Sequence, residues 1–215
     1  MTKSKTETIL LNKPEYDSNW IKFATELIDE YDYYENFLAP YSANQLEIIL
    51  KAEKYNKAKS ETEKSIDITS LLYANLNATQ MELRFTALKF GVPTEDVIKM
   101  INKSIPYATS NYIVQAYLDG KGDELNKYID YNNIKYDTEQ IYEIYAGLHN
   151  NVDISIYADP DISAETMGII RHALEVGVES VKYNKETKKI TIIVEWYYSR
   201  KDLILTGIYF IIITV

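Results

Sequence analysis

Residues 137–151, DTEQIYEIYAGLHNN, contain the pattern that decides the fold of this chain. Asp137 and Gln140 have the spacing of a capping box, in which two polar side chains satisfy each other's free backbone amides at a helix start. Apolar residues then recur at helical spacing, at Ile141, Ile144 and Leu148. Asn151 follows, and asparagine tolerates the left-handed conformation that often ends a helix. The stretch predicts an amphipathic helix of about three to four turns.

The same pattern occurs three more times along the chain. The four helix starts are predicted at Ser42, Asn77, Asp137 and Ser163, with Gln45, Gln80, Gln140 and Thr166 three residues later. The next residue is apolar in each copy: Leu46, Met81, Ile141 and Met167. The helix ends are expected at Asn56, Gly91, Asn151 and Gly177. One such helix cannot bury its own apolar side, so we expect the copies to stack as short helical repeats.

The connectors between the helices agree as well. Residues 66–69, IDIT, precede a Tyr-Ala pair at 73–74, and residues 152–155, VDIS, precede the same pair at 157–158. The copies also depart from one another, because Arg84 stands where the others have an apolar residue and Thr166 replaces the glutamine.

Residues 136–160 resemble a repeat of uncharacterised proteins from Gram-positive bacteria and their mobile elements. The resemblance lies in Gln140-Ile141 at the helix start, Gly147-Leu148 near the helix end and the connector Tyr157-Ala158-Asp159-Pro160. It covers residues 136–178 well and the rest loosely. It implies small helical modules, and it implies no activity and no functional residue.

Beyond the repeats, the sequence predicts a long N-terminal helix over 18–38 and shorter helices at 94–102, 110–118 and 123–129. After Gly177 the apolar residues alternate, as in a strand, and residues 203–215 are apolar on both faces. Thr6 to Asn12 is a candidate third strand. The predicted fold is mainly α with a small C-terminal β-hairpin (α+β). We expect a helical repeat domain at 1–178 with a hairpin at 179–215 packed on it, or one continuous domain.

Composition and charge exclude several classes of function. The chain has no cysteine, so it has no disulfides, thiolate metal sites or cysteine nucleophile. A net charge of −9 argues against direct binding to nucleic acid or to an anionic membrane. No apolar run reaches the ~20 residues that span a bilayer. The apolar run at residues 9–11 is too short for a signal peptide, so we expect a cytoplasmic protein.

No catalytic or cofactor motif is present in the sequence. His149 and His172 lack the ligand spacing of a metal site, so we interpret them as structural or surface residues. Asp159 and Asp161 flank Pro160 and are interpreted as capping the following helix rather than as paired catalytic carboxylates. The sequence therefore predicts a non-enzymatic protein that needs no cofactor and no metal.

The informative signal is a strongly acidic, tyrosine-rich segment between Asp119 and Glu165. It contains eleven acidic residues against three lysines. Carboxylates on rigid helices can imitate phosphates, and tyrosines can supply the flat contacts of bases. The predicted partner is a basic nucleic-acid-binding protein, attracted through long-range electrostatics. The predicted contact residues are Asp119, Asp123, Glu124, Asp130, Asp137, Glu139, Glu143, Tyr142, Tyr145, Asp153, Asp159 and Asp161.

The association with mobile elements favours, by analogy, a phage or mobile-element inhibitor of a defence nuclease such as a CRISPR effector. Three alternatives stay open. In the first, the acidic surface is only solvated and binds no partner. In the second, the chain is an oligomerising scaffold that forms a homodimer through its C-terminal strand. In the third, the chain is an enzyme that uses carboxylates around Asp159, Asp161 and Glu165.

Overall fold

The computed structural model describes residues 6, 10–11, 15–59, 65–72, 75–178, 180–184, 186–187, 189–200 and 203–214. From residue 194 onward only the backbone is described. The helices are α1 (Ser18–Tyr31), α2 (Glu35–Leu38), α3 (Ala43–Ala58), α4 (Ala78–Lys89), α5 (Thr94–Met100), α6 (Tyr107–Leu118), α7 (Gly122–Leu125), α8 (Thr138–His149) and α9 (Ala164–Glu175). Short 3-10 turns lie at Ile68–Leu71 and Ile154–Ile156. The strands are β1 (Ser180–Asn184), β2 (Lys189–Arg200) and β3 (Leu203–Thr214).

The chain is mainly helical with a small antiparallel hairpin at its C-terminus, which confirms the predicted fold class. It divides into two compact units, Met1–Tyr107 and Ala108–Val215. The expected domain boundary after residue 178 lies inside the second unit, where α9 contacts β1.

The sheet has the order β1-β2-β3, and both neighbouring pairs are antiparallel. Strand β1 was not predicted, because residues 180–184 alternate over too short a length to be distinguished from a loop. Of the candidate strand at residues 6–12, Thr6 and Leu10 are helical and Leu11 is in a turn, and the others lie outside the described residues. The side chains of the apolar run 203–215 also lie outside the described part of the chain, so the prediction that both of its faces are apolar stays a prediction.

The four predicted helix starts are confirmed. Ser42, Asn77 and Asp137 each form a complete capping box with the glutamine three residues later, and the side chain of Ser163 accepts from the Thr166 amide. The apolar residue that follows is fully buried in every copy, with 0% exposure for Leu46, Met81, Ile141 and Met167. The repeated pattern thus places one anchoring side chain per helix in the core.

Three of the four predicted helix ends are confirmed, with positive φ at Gly91, Asn151 and Gly177. The prediction for Asn56 is wrong, because α3 continues to Ala58. The Asn56 side chain instead donates to the Ile66 carbonyl at 2.9 Å and accepts from the Ile66 amide at 2.8 Å. It therefore ties the end of α3 to the connector that follows.

Helix α6 shares the end of the repeated pattern but not its start, and the position of the buried apolar residue is taken by Ser110. Its N-terminal flanking position holds Pro106, which cannot form a capping box, although Gly120 ends it at φ 73° as Gly91 ends α4. Gly120 lies eleven residues after Thr109, the same interval that separates Gly91 from Gln80. The pattern failed here because only one of its end signals is present.

The capping glutamines also join consecutive copies within each unit. Gln45 donates to the Leu76 carbonyl at 2.6 Å, and Gln140 donates to the Ile162 carbonyl at 2.7 Å. Each of those carbonyls belongs to the residue directly before the N-cap of the next helix. A side chain that caps its own helix therefore also fixes where the next one begins.

Arg84, which breaks the apolar pattern, is buried at 2% exposure. Its guanidinium donates to the backbone carbonyls of Ser70 and Ile101, which satisfies the charged group inside unit 1. The predicted N-terminal helix is likewise interrupted, because Asp32 adopts φ 58° and ends α1 before α2 begins. Within the described ranges, none of the helices is both long and apolar enough to cross a membrane.

Candidate functional site

All twelve predicted contact residues lie in unit 2, but several of them hold local backbone in place. Asp137 caps α8, where its carboxylate accepts from the Gln140 amide at 2.8 Å. Asp153 caps the turn at Ile154–Ile156, accepting from the Ser155 amide at 3.0 Å and from its hydroxyl at 2.6 Å. Replacing either carboxylate removes a helix or turn cap, so neither is a neutral position for testing charge.

Two more of these carboxylates stabilise turns. Asp130 and Asp159 each accept, at 3.0 Å, from the backbone amide two residues further on, Asn132 and Asp161 respectively. This is the Asx-turn geometry. The interpretation of Asp159 and Asp161 as helix caps is wrong, because Ser163 is the residue that caps α9.

Glu143 is the predicted contact residue whose environment differs most from a solvated surface. Its Oε2 accepts from Nε of Arg171 at 2.7 Å, and the Arg171 side chain also donates to Glu175 at 2.5 Å. Arg171 is buried at 6% exposure. Burial lowers the pKa of Arg171, but its hydrogen bonds to the two carboxylates outweigh this and raise the pKa.

Glu175 completes this cluster at the C-terminal end of α9. Burial raises the pKa of its carboxyl, but hydrogen bonds from Asn150 and Arg171 and the neighbouring positive charge outweigh burial, so the pKa is lowered. His172 Nδ1 lies 3.1 Å from the second carboxylate oxygen of Glu175. Glu143 and Glu175 are therefore structural ion-pair partners of Arg171, a role that the sequence pattern did not indicate.

The other histidine also has an acidic neighbour. His149 Nδ1 lies 2.7 Å from the Asp119 carboxylate, and both side chains are substantially exposed. The surface role expected for the two histidines agrees with these positions. Among the described residues, no three histidine, aspartate or glutamate side chains are arranged to hold a metal ion.

A smaller set of acidic side chains remains exposed or partly exposed, with no hydrogen bond or ion pair among the described residues. These are Asp123, Glu124, Glu139, Asp161 and Glu165. Glu139 and Glu165 lie in the first turns of α8 and α9, where the helix dipole favours a negative charge. They are the carboxylates of this segment that are available to a partner.

Two of these carboxylates border a groove between α8 and α9, with a volume of about 510 Å³. The groove is lined by Tyr112, Thr138, Glu139, Tyr142, Glu143, Ala164, Glu165, Gly168, Ile169 and His172. It therefore combines apolar walls with an acidic rim, which suits a group that is both flat and positively charged.

The tyrosines beside the groove form a connected aromatic cluster. The Tyr112 ring lies 5.2 Å from that of Tyr142 and stacks on that of Tyr145 at 5.9 Å. Burial raises the pKa of Tyr145, and the Asp119 carboxylate and Tyr142 raise it further. Tyr142 and Tyr145 were predicted contact residues, whereas Tyr112 lies before the acidic segment and was missed.

Comparisons of the chain with protein-family models, with curated proteins and with solved structures found no match.

Proposed function

We propose that this chain is a non-enzymatic interaction module whose acidic, tyrosine-bearing surface in unit 2 binds a basic nucleic-acid-binding protein as a nucleic-acid decoy. The observation that carries the proposal is the division of the acidic residues. After those that cap, turn or pair internally are set aside, five carboxylates remain exposed or partly exposed with no ion-pair partner in the described part of the chain: Asp123, Glu124, Glu139, Asp161 and Glu165. These charges contribute little to the fold and are free to act on a partner.

The proposed partner class follows from charge and from the resemblance to proteins of mobile elements. A groove that normally holds nucleic acid is basic, so it attracts such a surface over a distance that shrinks as salt is added. The proposed target is a defence nuclease such as a CRISPR effector, and the proposed location is the cytoplasm, where that nuclease acts.

The test uses charge reversals that avoid the structural carboxylates. The variant Glu139→Lys/Asp161→Lys/Glu165→Lys reverses three of these five charges, two in the first turns of α8 and α9 and one in the connector between them. Reversing Asp137 and Glu143 is unsuitable, because the first caps α8 and the second pairs with Arg171. Any loss of binding by those variants would be confounded by loss of the fold.

A matched control is Asp29→Lys/Glu95→Lys/Glu186→Lys, which changes the net charge from −9 by the same amount at exposed positions outside the acidic segment. The measurement is capture of proteins from a nuclease-treated bacterial lysate at low and high salt, followed by DNA cleavage assays of purified CRISPR effector nucleases with added protein. We expect the unmodified chain and the control to bind and inhibit at low salt, with DNA competing. The surface variant should do neither. Equal inhibition by both variants, or binding that salt does not weaken, contradicts the decoy.

A second candidate function, an oligomerising scaffold, is favoured by the position of β3. This twelve-residue strand pairs with β2 along one edge, and in the strand order of the described sheet it has no neighbour on the other. A long edge strand offers unpaired backbone groups to a second copy. Sedimentation at high salt distinguishes the two candidates, since a dimer through backbone pairing survives salt and a monomer removes this candidate.

A further inference from the structure

We infer that the groove between α8 and α9 is the anchor point of the interaction surface, and that it takes the guanidinium of an arginine side chain from the basic partner. This inference rests on the proposed function and goes further, because it names one pocket and one side-chain chemistry. It also separates the groove from the wider acidic segment, whose remaining charges would act only at long range.

The walls of the groove offer aromatic surface at a fixed angle. Tyr112 and Tyr142 come from different helices, and their rings are inclined at 55°. Tyr112 is held from behind by Tyr145, whose ring is nearly parallel at 19°. Tyr142 remains 42% exposed although it is a large aromatic residue. Two tyrosines that meet at a corner, with one of them open, provide a face on which a flat cation can stack.

The rim of the groove supplies negative charge that nothing inside the described structure neutralises. Arg171 already compensates Glu143, which lines the groove, and Glu175, which does not. Glu139 and Glu165 have no such partner and stand on the two facing helices. A cation in the groove would therefore lie beside two carboxylates that have no ion-pair partner among the described residues.

A glycine in the middle of α9 keeps the groove open. Gly168 lines the groove and sits inside a regular helix, where glycine costs about 1 kcal/mol relative to alanine. A Cβ at this position would lie 3.3 Å from Oε1 of Glu143. Positive φ does not explain this glycine, since its φ is not among those of the left-handed residues. The absence of a Cβ leaves space beside the Glu143 carboxylate, and this space forms part of the groove.

Arginine fits these features better than lysine. A guanidinium is planar, so it can stack on a tyrosine ring while its forked N–H groups reach carboxylates at its edge. A lysine ammonium is a compact, strongly hydrated charge that gains less from the aromatic walls. At about 510 Å³ the groove also has room for the backbone on either side of the arginine.

The experiment uses the full chain and two probes of equal charge, a nine-residue oligo-arginine peptide and a nine-residue oligo-lysine peptide. Binding is measured by calorimetry at physiological salt. We expect the arginine peptide to bind roughly tenfold more tightly, which corresponds to about one stacking contact. Equal affinity for the two peptides would contradict the assignment of arginine.

Three variants locate the site. Tyr142→Ala removes an exposed wall, and Gly168→Leu fills the groove, so each should abolish the preference for arginine while circular dichroism shows a retained helix content. Tyr142→Phe keeps the ring and should keep the preference. Persistence of the preference in Tyr142→Ala would overturn the inference even if Gly168→Leu failed to fold.

The inference and the proposed function fail separately. If the groove variants still inhibit the nuclease while Glu139→Lys/Asp161→Lys/Glu165→Lys does not, the groove is not the anchor and the decoy surface stands. If that triple variant inhibits as well as the unmodified chain, the decoy fails whatever the peptides show.

Discussion

Gly147→Ala should destabilise unit 2, although alanine is the better helix former. Gly147 lies in α8 under the ring of Tyr157, which is fully buried and donates its hydroxyl to the Glu143 carbonyl at 3.1 Å. A Cβ on residue 147 would come within 1.8 Å of the Tyr157 hydroxyl oxygen and 2.8 Å of the Ile154 side chain. The tyrosine ring would have to leave its place.

The magnitude follows from three contributions. Overpacking in a core costs about 3 kcal/mol when a buried ring must shift, at the upper end of the usual range. Loss of the hydroxyl hydrogen bond adds about 1 kcal/mol. The higher helix propensity of alanine returns about 1 kcal/mol. The free energy of unfolding should therefore fall by about 3 kcal/mol, through the packing of Tyr157.

The assay is urea unfolding followed by far-ultraviolet circular dichroism, with hydrogen exchange of peptides from residues 138–175 to assign the loss to unit 2. The control background is Tyr157→Phe, which removes the closest atom but leaves the ring. Gly147→Ala should cost at least 1 kcal/mol less there, a coupling typical of residues in contact. An alanine variant as stable as the parent, or the same cost in both backgrounds, would refute this account of the packing.

The remaining predictions concern the core, the ion pairs and pH. Met167→Asp should lower the free energy of unfolding by about 4 kcal/mol or more, since it places an unpaired charge in a packed interior. Met167→Leu should lower it by less than ~1.5 kcal/mol, and the midpoints of urea unfolding compare the two variants. Arg171→Met should cost about 2 to 3 kcal/mol by leaving Glu143 and Glu175 without their cation, and adding Glu143→Gln should recover part of that loss in the same assay. Burial raises the pKa of Tyr157 above its ordinary value of about 10, so the native state keeps a proton that the unfolded chain releases. Its contribution to stability is full below about pH 10 and is lost as the pH rises further, so Tyr157→Phe should show a smaller drop in melting temperature across that range. An equal drop in both proteins would contradict the burial of this hydroxyl.

The local pattern of residue types was enough to determine the repeated helix. Capping boxes act over three residues, and left-handed helix ends depend on one residue that tolerates positive φ, so both can be read from the chain at Asp137, Gln140 and Gly177. The burial of Met167 also follows from the local pattern, because this residue begins the apolar face of an amphipathic helix and that face packs into the core.

Only the tertiary structure showed which carboxylates are used internally. Glu143 and Arg171 are separated by 28 residues, so no spacing rule joins them, yet packing of α8 on α9 brings them to 2.7 Å. In the same way Tyr112 and Tyr142 meet because α6 packs beside α8. The helix at 110–118 was predicted from the sequence, but which helix it packs against was not. A sequence fixes contacts within a helical turn through local geometry, whereas contacts between helices depend on how whole faces pack. The acidic composition was therefore visible in the sequence, and the groove was not.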